Sequence, residues 1–354
     1  MRGPVLGILA SVAALVATPA DAQFKSIQDL LDQVRNKCDV QTRHAIIVHG
    51  GTSSGKAYPE RLAFIESMLA ERRAELEAGD RALDVATRAI VAMEDSGLFN
   101  AGKGAISNLG GFVETDASIM DGRHRNAGSV ASLLGIKNPI LAARAVMEQT
   151  PHVMFVGGRG ETKLRQMGLE FVTPPYFINN GPKPVLGQPT PPPIHAAPTQ
   201  HPKNHGTVGA AVLDRCGDLA AGTSTGGYDD KTPGRVGDSP IIGAGVWAQN
   251  GVMAGSATGH GEYFIRHTAL RTVAARMEYG GETIEHAAHH VVHDMDAAGP
   301  GRAGQGGIIA VDADGDFAAV HSYSGMIYGL ARDDRAPMVS QQAPGSPIVG
   351  PPPT

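Results

Sequence analysis

The stretch Gly206-Thr207-Val208-Gly209-Ala210-Ala211-Val212-Leu213 decides how this chain is read. It is small, apolar and β-branched, and it begins abruptly. Residues 174–205 before it are rich in Pro, Asn, Gln and His, include Pro191-Pro192-Pro193, and carry no apolar period. That composition predicts an exposed, disordered linker. After Leu213, a turn through Asp214 to Asp218 leads into Leu219-Ala220-Ala221-Gly222. The pattern predicts a β-hairpin whose first strand starts directly behind a mobile connection.

A break between Gly206 and Thr207 would make Thr207 an N-terminus. A free α-amine titrates at about 7.7–8.0, so part of it is unprotonated at neutral pH. It could accept the proton of its own residue's hydroxyl, which is the threonine form of an activated nucleophile. Gly-Thr alone is an ordinary strand start, so the neighbours have to carry the case.

Moving outward, the hairpin ends at Thr223-Ser224-Thr225-Gly226-Gly227, which sets small hydroxyls beside the first strand. Gly234-Arg235-Val236-Gly237-Asp238-Ser239-Pro240 places a guanidinium and a carboxylate three residues apart in a Gly-rich loop. In isolation this is a surface ion pair; beside a nucleophile it could hold the two charged groups of an amino acid. Gly255-Ser256-Ala257-Thr258-Gly259-His260-Gly261-Glu262 offers a hydroxyl and backbone N–H groups leading into a helix. A tight loop with a helix cap explains it, and so does an oxyanion site.

Towards the N-terminus, His44 to His49 reads as a strand ending at Gly50-Gly51, followed by two helices. In the second, Asp80 is the expected N-cap, with Leu83, Ala86, Ile90 and Met93 on one face. A Gly-rich loop, Phe99 to Gly104, precedes a strand around Phe112 to Met120. Asn138 is the expected cap of a helix starting at Pro139. Beyond the first hairpin come one helical stretch from Glu262 to Gly280 and a second hairpin from Gly307 to Val320. Residues 336–354 are Pro-rich and expected to be disordered. Hairpins flanked by helices in both halves suggest stacked sheets covered by helices.

Composition narrows the function. With 354 residues, 42% apolar, 18% charged, 46 Gly and 24 Pro, the chain fits an ordered, loop-rich enzyme. Aromatics at 5% and a net charge of −5 argue against a nucleic-acid partner. Arg2, the apolar run Val5 to Ala17 and Ala20-Asp21-Ala22 predict a signal peptide over residues 1–22, hence a periplasmic or secreted protein. The run is too short to span a membrane. The two cysteines, Cys38 and Cys216, allow at most one disulfide and read as incidental.

Two motifs are decoys. Gly50 to Lys56 nearly spells a phosphate-binding loop, but Ala57 replaces the magnesium-binding hydroxyl. His286, His289, His290 and His293 have helical metal-ligand spacing without the HExxH glutamate, which reads as a wet helix face, and no metal ligand is assigned.

The motifs around Thr207, Thr225, Arg235, Asp238 and Thr258 resemble, in order and spacing, the plant-type asparaginase / isoaspartyl peptidase family of N-terminal nucleophile hydrolases. His49-Gly50-Gly51, Leu98 to Gly104, Ala117 to Gly122, Asn138-Pro139-Ile140 and Thr150-Pro151-His152 extend the resemblance from about Ala45 to Leu330. It implies an α+β fold, a four-layer αββα sandwich. It also implies cleavage between Gly206 and Thr207 into an α chain (residues 23–206) and a β chain (207–354) forming one composite domain, usually paired as a dimer. Thr207 is then the nucleophile, supported by Thr225, with Asn100 nearby. Thr258 and the Gly259 N–H stabilise the oxyanion. Arg235 binds the substrate's α-carboxylate, and Asp238 with the Gly261 carbonyl its α-ammonium. No catalytic cofactor is implied; a structural Na+ or K+ on main-chain carbonyls around Met93–Lys103 is. The expected reaction is hydrolysis of isoaspartyl dipeptides and L-asparagine. Alternatives are hydrolysis of N-glycosylated asparagine, against which Gly206 speaks because the glycosylasparaginases carry Asp there, and a non-catalytic amino-acid-binding protein.

Overall fold

The computed structural model describes residues 43–53, 58–178, 206–298, 305–322 and 325–342. The expected signal peptide, the linker beyond residue 178 and the tail beyond 342 lie outside them.

In chain order, β1 (Ala45–Thr52) precedes α1 (Pro59–Glu77) and α2 (Ala82–Ser96). A hairpin of β2 (Thr115–Asp121) and β3 (Asn126–Leu133) leads to α3 (Pro139–Gln149), β4 (Met154–Val156) and α4 (Gly157–Gln166). The second half starts with β5 (Val208–Leu213) and β6 (Leu219–Thr225), then β7 (Val246–Gln249) and β8 (Met253–Gly259). Helices α5 (Gly261–His267), α6 (Ala269–Gly280) and α7 (Ile284–Ala298) follow. Strands β9 (Gly306–Asp312), β10 (Phe317–His321), β11 (Met326–Arg332) and β12 (Arg335–Gln342) close the chain.

These strands form an eight-stranded sheet, β12-β11-β1-β5-β6-β2-β3-β4, and a four-stranded one, β10-β9-β8-β7. Every neighbouring pair is antiparallel except β3 and β4. Strand alternation sorts the core into three layers of contact. On β1, Ile46 and Val48 pack under α1 and α2, while Ala45 and Ile47 face the second sheet. On β9, Ile309 and Val311 face the first sheet, and Ile308 and Ala310 pack under α6 and α7. The result is the four-layer αββα sandwich. Strands buried on both faces explain the continuous apolar runs, and each fully buried Ile, Leu or Val contributes about 1.5–3 kcal/mol.

Several local expectations are corrected. Asp80 does not cap α2: it pairs with Arg88, and the Ala82 N–H is capped by the Asp214 carboxylate at 2.8 Å. Asn138 does precede α3, but its side chain donates to Glu94 and Asp95, and the Glu94 carboxyl takes the Ile140 N–H at 3.1 Å. The stretch after Glu262 is two helices, because Thr268 turns left-handed at φ 43°. Strand β2 starts at Thr115, later than expected. Residues 335–342 are no loose tail; they pair with β11. The linker also starts later than residue 174, since Phe177 is buried against Ala105 and Val113 and the Ile178 N–H donates to the Lys103 carbonyl. Cys216 is not incidental either: it is disulfide-bonded, and Cys38 is the other cysteine in the sequence.

Candidate active site

Residues Gly206 and Thr207 lead into β5, which lies between β1 and β6 in the middle of the large sheet. Antiparallel register therefore sets Thr207 across from Gly51 on one side and Thr225 on the other. The Thr207 hydroxyl donates to Thr225 Oγ1 at 3.0 Å, and the Gly227 N–H donates to that same oxygen at 2.9 Å. Thr207 is held from behind as well, because its carbonyl accepts a hydrogen bond from His49 Nδ1 at 2.8 Å. Gly51 is required here. At φ +96° a side chain is strained, and a methyl would collide with Gly206 Cα and sit 2.9 Å from Thr207 N.

Asn100 fastens the loop behind Thr225. Its amide donates to the Gly227 carbonyl at 2.6 Å, its side-chain oxygen accepts the Ile106 N–H at 3.0 Å, and its own carbonyl accepts the Gly226 N–H. It also borders Gly206, where an added methyl would meet Asn100 Cβ at 3.4 Å.

The second sheet supplies the opposite wall. Thr258 lies near the end of β8, 1% exposed, with a hydroxyl that has no hydrogen-bond partner among the described residues. The Asp238 carboxyl, 4% exposed, likewise leaves Oδ2 without a partner among them. Two buried, unmatched polar atoms of this kind cost stability, and a polar ligand that pairs with them recovers it. Burial pushes the Asp238 carboxyl up to about 7, against the opposing pull of Arg235. Gly261 leaves room for it, since a methyl there would lie 2.7 Å from Asp238 Oδ1. The loop bearing Asp238 is pinned to the large sheet by the Ser118 hydroxyl on the Ser239 carbonyl and the Ser129 hydroxyl on that of Pro240.

Arg235 does not pair with Asp238 as the three-residue spacing suggested. Its Nε and Nη2 each donate to the Glu262 carboxylate at 2.9 Å, and its guanidinium stacks over Tyr228, 4.3 Å from the ring centroid. A guanidinium has two such edges, so the Nη1/Nη2 edge remains geometrically suited to a second carboxylate.

The histidines of α7 make no converging group of three metal ligands among the described residues, and His290 is engaged by Glu282 and Arg276. One acidic cluster, Asp214-Cys216-Asp218, is tight enough, but its sulfur belongs to the disulfide. Of the Gly50–Lys56 run, the part through Thr52 is strand β1, and residues 54–57 lie outside the described residues.

Residues 42–340 match the family model described as asparaginase. The chain belongs to the asparaginase family. It is therefore an asparaginase-type amidohydrolase. It is 41% identical over 308 residues to the isoaspartyl peptidase of Escherichia coli (strain K12), covering 81% of this chain and 93% of that protein. It is 37% identical to the isoaspartyl peptidase/L-asparaginase of Mus musculus (85% and 91% covered) and 38% identical to the plant-type L-asparaginase of Pyrobaculum calidifontis (81% and 96% covered).

Within this asparaginase-family site, sequence reading missed Glu262, Tyr228, the imidazole of His49 and the hydroxyls of Thr223 and Ser256. The last two sit two residues before Thr225 and Thr258, so strand period alone puts them on the same faces. Lys231 was missed too; 1% exposed, it ties the Glu114 carbonyl to the back of the Gly227 loop.

Proposed function

We propose that the chain is a precursor that cleaves between Gly206 and Thr207, after which Thr207 hydrolyses isoaspartyl dipeptides and L-asparagine. The carrying observation is the Thr207–Thr225 hydroxyl pair at the mouth of β5, with the Thr258 hydroxyl and Asp238 Oδ2 on the facing wall, both without a partner among the described residues.

The freed α-amine of Thr207 takes the proton from its hydroxyl, and Oγ1 attacks the side-chain amide carbon of the substrate. Thr225 Oγ1, itself fixed by the Gly227 N–H, holds the nucleophile in place. The carbonyl oxygen of the substrate becomes an oxyanion stabilised by the Thr258 hydroxyl and the Gly259 N–H. The proton passes to the leaving nitrogen, which departs as ammonia or an amino acid, and water then hydrolyses the ester on Thr207 to release aspartate. Arg235 takes the α-carboxylate on its open edge, and Asp238, with the Gly261 carbonyl, takes the α-ammonium.

The same proposal includes export after cleavage of residues 1–22 and pairing of two α/β units. It also includes an alkali cation in the loop Met93–Lys103. The carbonyls of Phe99, Ala101, Gly102 and Lys103 are already ordered there by backbone hydrogen bonds, and carbonyl oxygens are the kind of ligand a hard cation takes.

Reducing, denaturing electrophoresis of purified protein should give two bands, the smaller beginning at Thr207, together with ammonia release from asparagine and amino-acid release from β-aspartyl dipeptides. A Thr207→Ala variant should remain whole and inactive. Full turnover by an unbroken chain overturns the proposal.

A further inference from the structure

Directly below the candidate catalytic row lies a second row built to the same plan. On adjacent strands β1, β5 and β6, His49 pairs with Gly209, and Gly209 pairs with Thr223. Each is two residues deeper than its counterpart in the upper row, Gly51, Thr207 and Thr225. From the opposing sheet Ser256 enters, two residues before Thr258. All three polar side chains are 0% exposed.

Gly209 is the notch that lets the two sheets close here. A methyl on it would overlap Ser256 Oγ and lie 2.5 Å from His49 Nε2. Across that notch Ser256 Oγ meets His49 Nε2 at 2.9 Å and Thr223 Oγ1 at 2.7 Å, and Thr223 Oγ1 lies 2.9 Å from the Gly245 carbonyl, so its single proton is shared between the Ser256 oxygen and that carbonyl. On its other side, His49 reaches the Thr207 carbonyl.

The proton positions follow from the partners. A carbonyl only accepts, so His49 carries its proton on Nδ1. Complete burial pushes the imidazole down to about 3, so it stays neutral and Nε2 accepts from the Ser256 hydroxyl. The backbone of the nucleophile on β5, the strand bearing Thr258 and the strand bearing Thr225 are thus linked by one chain of side-chain contacts.

We propose that His49, Ser256 and Thr223 are positioning residues that hold Thr207, Thr225 and Thr258 in mutual register. This deepens the reading of Thr207 as nucleophile and rests on it. None of the three hydrogen-bonds to Arg235 or Asp238, and Thr223 reaches that loop only through the Gly245 carbonyl, so their loss should act chiefly on chemistry and less on binding.

The test uses the full-length protein and a β-aspartyl dipeptide, with Ser256→Ala, Thr223→Val and Thr223→Ser beside the wild type. Cleavage is followed by reducing electrophoresis, kcat and KM by amino-acid release, and folding by Tm. Ser256→Ala and Thr223→Val should cleave more slowly and lose about 10–100-fold in kcat with KM within about twofold, in line with the cost of misplacing reacting groups. Thr223→Ser keeps the hydroxyl and should recover most of that loss. Wild-type kcat and cleavage in Ser256→Ala and Thr223→Val overturn the proposal, as does a lowered Tm with kcat unchanged. If Ser256→Ala does not fold, Thr223→Val against Thr223→Ser still decides it, since equal kcat in that pair removes the role. Failure of the nucleophile reading looks different: wild-type protein is then active while uncleaved, whatever these variants do.

Discussion

Arg235 and Glu262 face each other through two parallel hydrogen bonds of 2.9 Å, guanidinium edge against carboxylate. Glu262 sits in the first turn of α5, immediately after the Thr258-Gly259-His260-Gly261 segment. The carboxylate that orients Arg235 is thus fixed to the same piece of backbone as Thr258 and Gly259, the proposed oxyanion groups. Holding Arg235 by one edge leaves the other presented without loss of side-chain freedom on binding.

Arg235→Lys should raise KM for both substrates by about 10–100-fold, with kcat changed much less, because a hydrogen bond to a charged group contributes about 1.5–3 kcal/mol. Glu262→Gln should raise KM less, by up to about 10-fold, since the fork loses its anchor and keeps its charge. Steady-state kinetics on β-aspartyl dipeptides check both. Unchanged KM in Arg235→Lys would remove the arginine from substrate binding.

Asp238 governs a pH effect whose sign can be worked out. Its carboxyl rises from the ordinary 3.8 to about 7, chiefly through burial. The folded chain therefore keeps a proton that the unfolded chain releases. The associated stability is present below about 3.8 and is lost as pH rises through about 7. On the proposed role of Asp238, binding runs the other way, since the substrate's ammonium needs the carboxylate. KM should fall as pH increases from about 6 to 8, and in Asp238→Asn it should be high and flat over that range.

With Cys216 disulfide-bonded and Cys38 as its only possible mate in the chain, cleavage after Gly206 leaves the two cysteines on different fragments. Non-reducing electrophoresis should then show one band near full size, which splits in two on adding dithiothreitol. Cys216→Ser should lose the linked band and about 2–4 kcal/mol of stability. Free thiol found in unreduced, denatured wild-type protein would contradict this.

At Gly128 the backbone of β3 lies tight against α3. A methyl there would collide with the Ala143 carbonyl and lie 2.7 Å from Met147 N, all backbone that cannot move alone. Gly128→Ala should cost about 1–3 kcal/mol by overpacking. Tm should drop by several degrees, while KM and kcat of the remaining folded enzyme hold.

The parts of this fold that a reader of the sequence could see are those with a local signature. Short apolar, β-branched runs marked β1, β5, β6, β9 and β10, turn residues marked both hairpins, and a composition break marked Thr207, just before β5. Motif order then brought Thr207, Thr225, Arg235, Asp238 and Thr258 into view together. Helix ends fared worse, because Asp214, 132 residues away, caps α2 in place of the nearby Asp80. The edge strand β12 hid behind Pro337 and the Pro-rich sequence after it until β11 was there to pair with it.

By itself, the sequence determined which residues alternate across which strand and where small, hydroxyl-bearing or charged groups fall along the chain, since those follow from backbone geometry two residues at a time. Only the tertiary structure decided that Arg235 takes Glu262 as its partner, and that His49 meets a serine 207 residues away over the notch at Gly209. The first joins a loop to the first turn of α5, and the second arises where two sheets press together at roughly 10 Å. A side chain there bonds to whatever the opposite face delivers, and spacing along the chain carries no record of it.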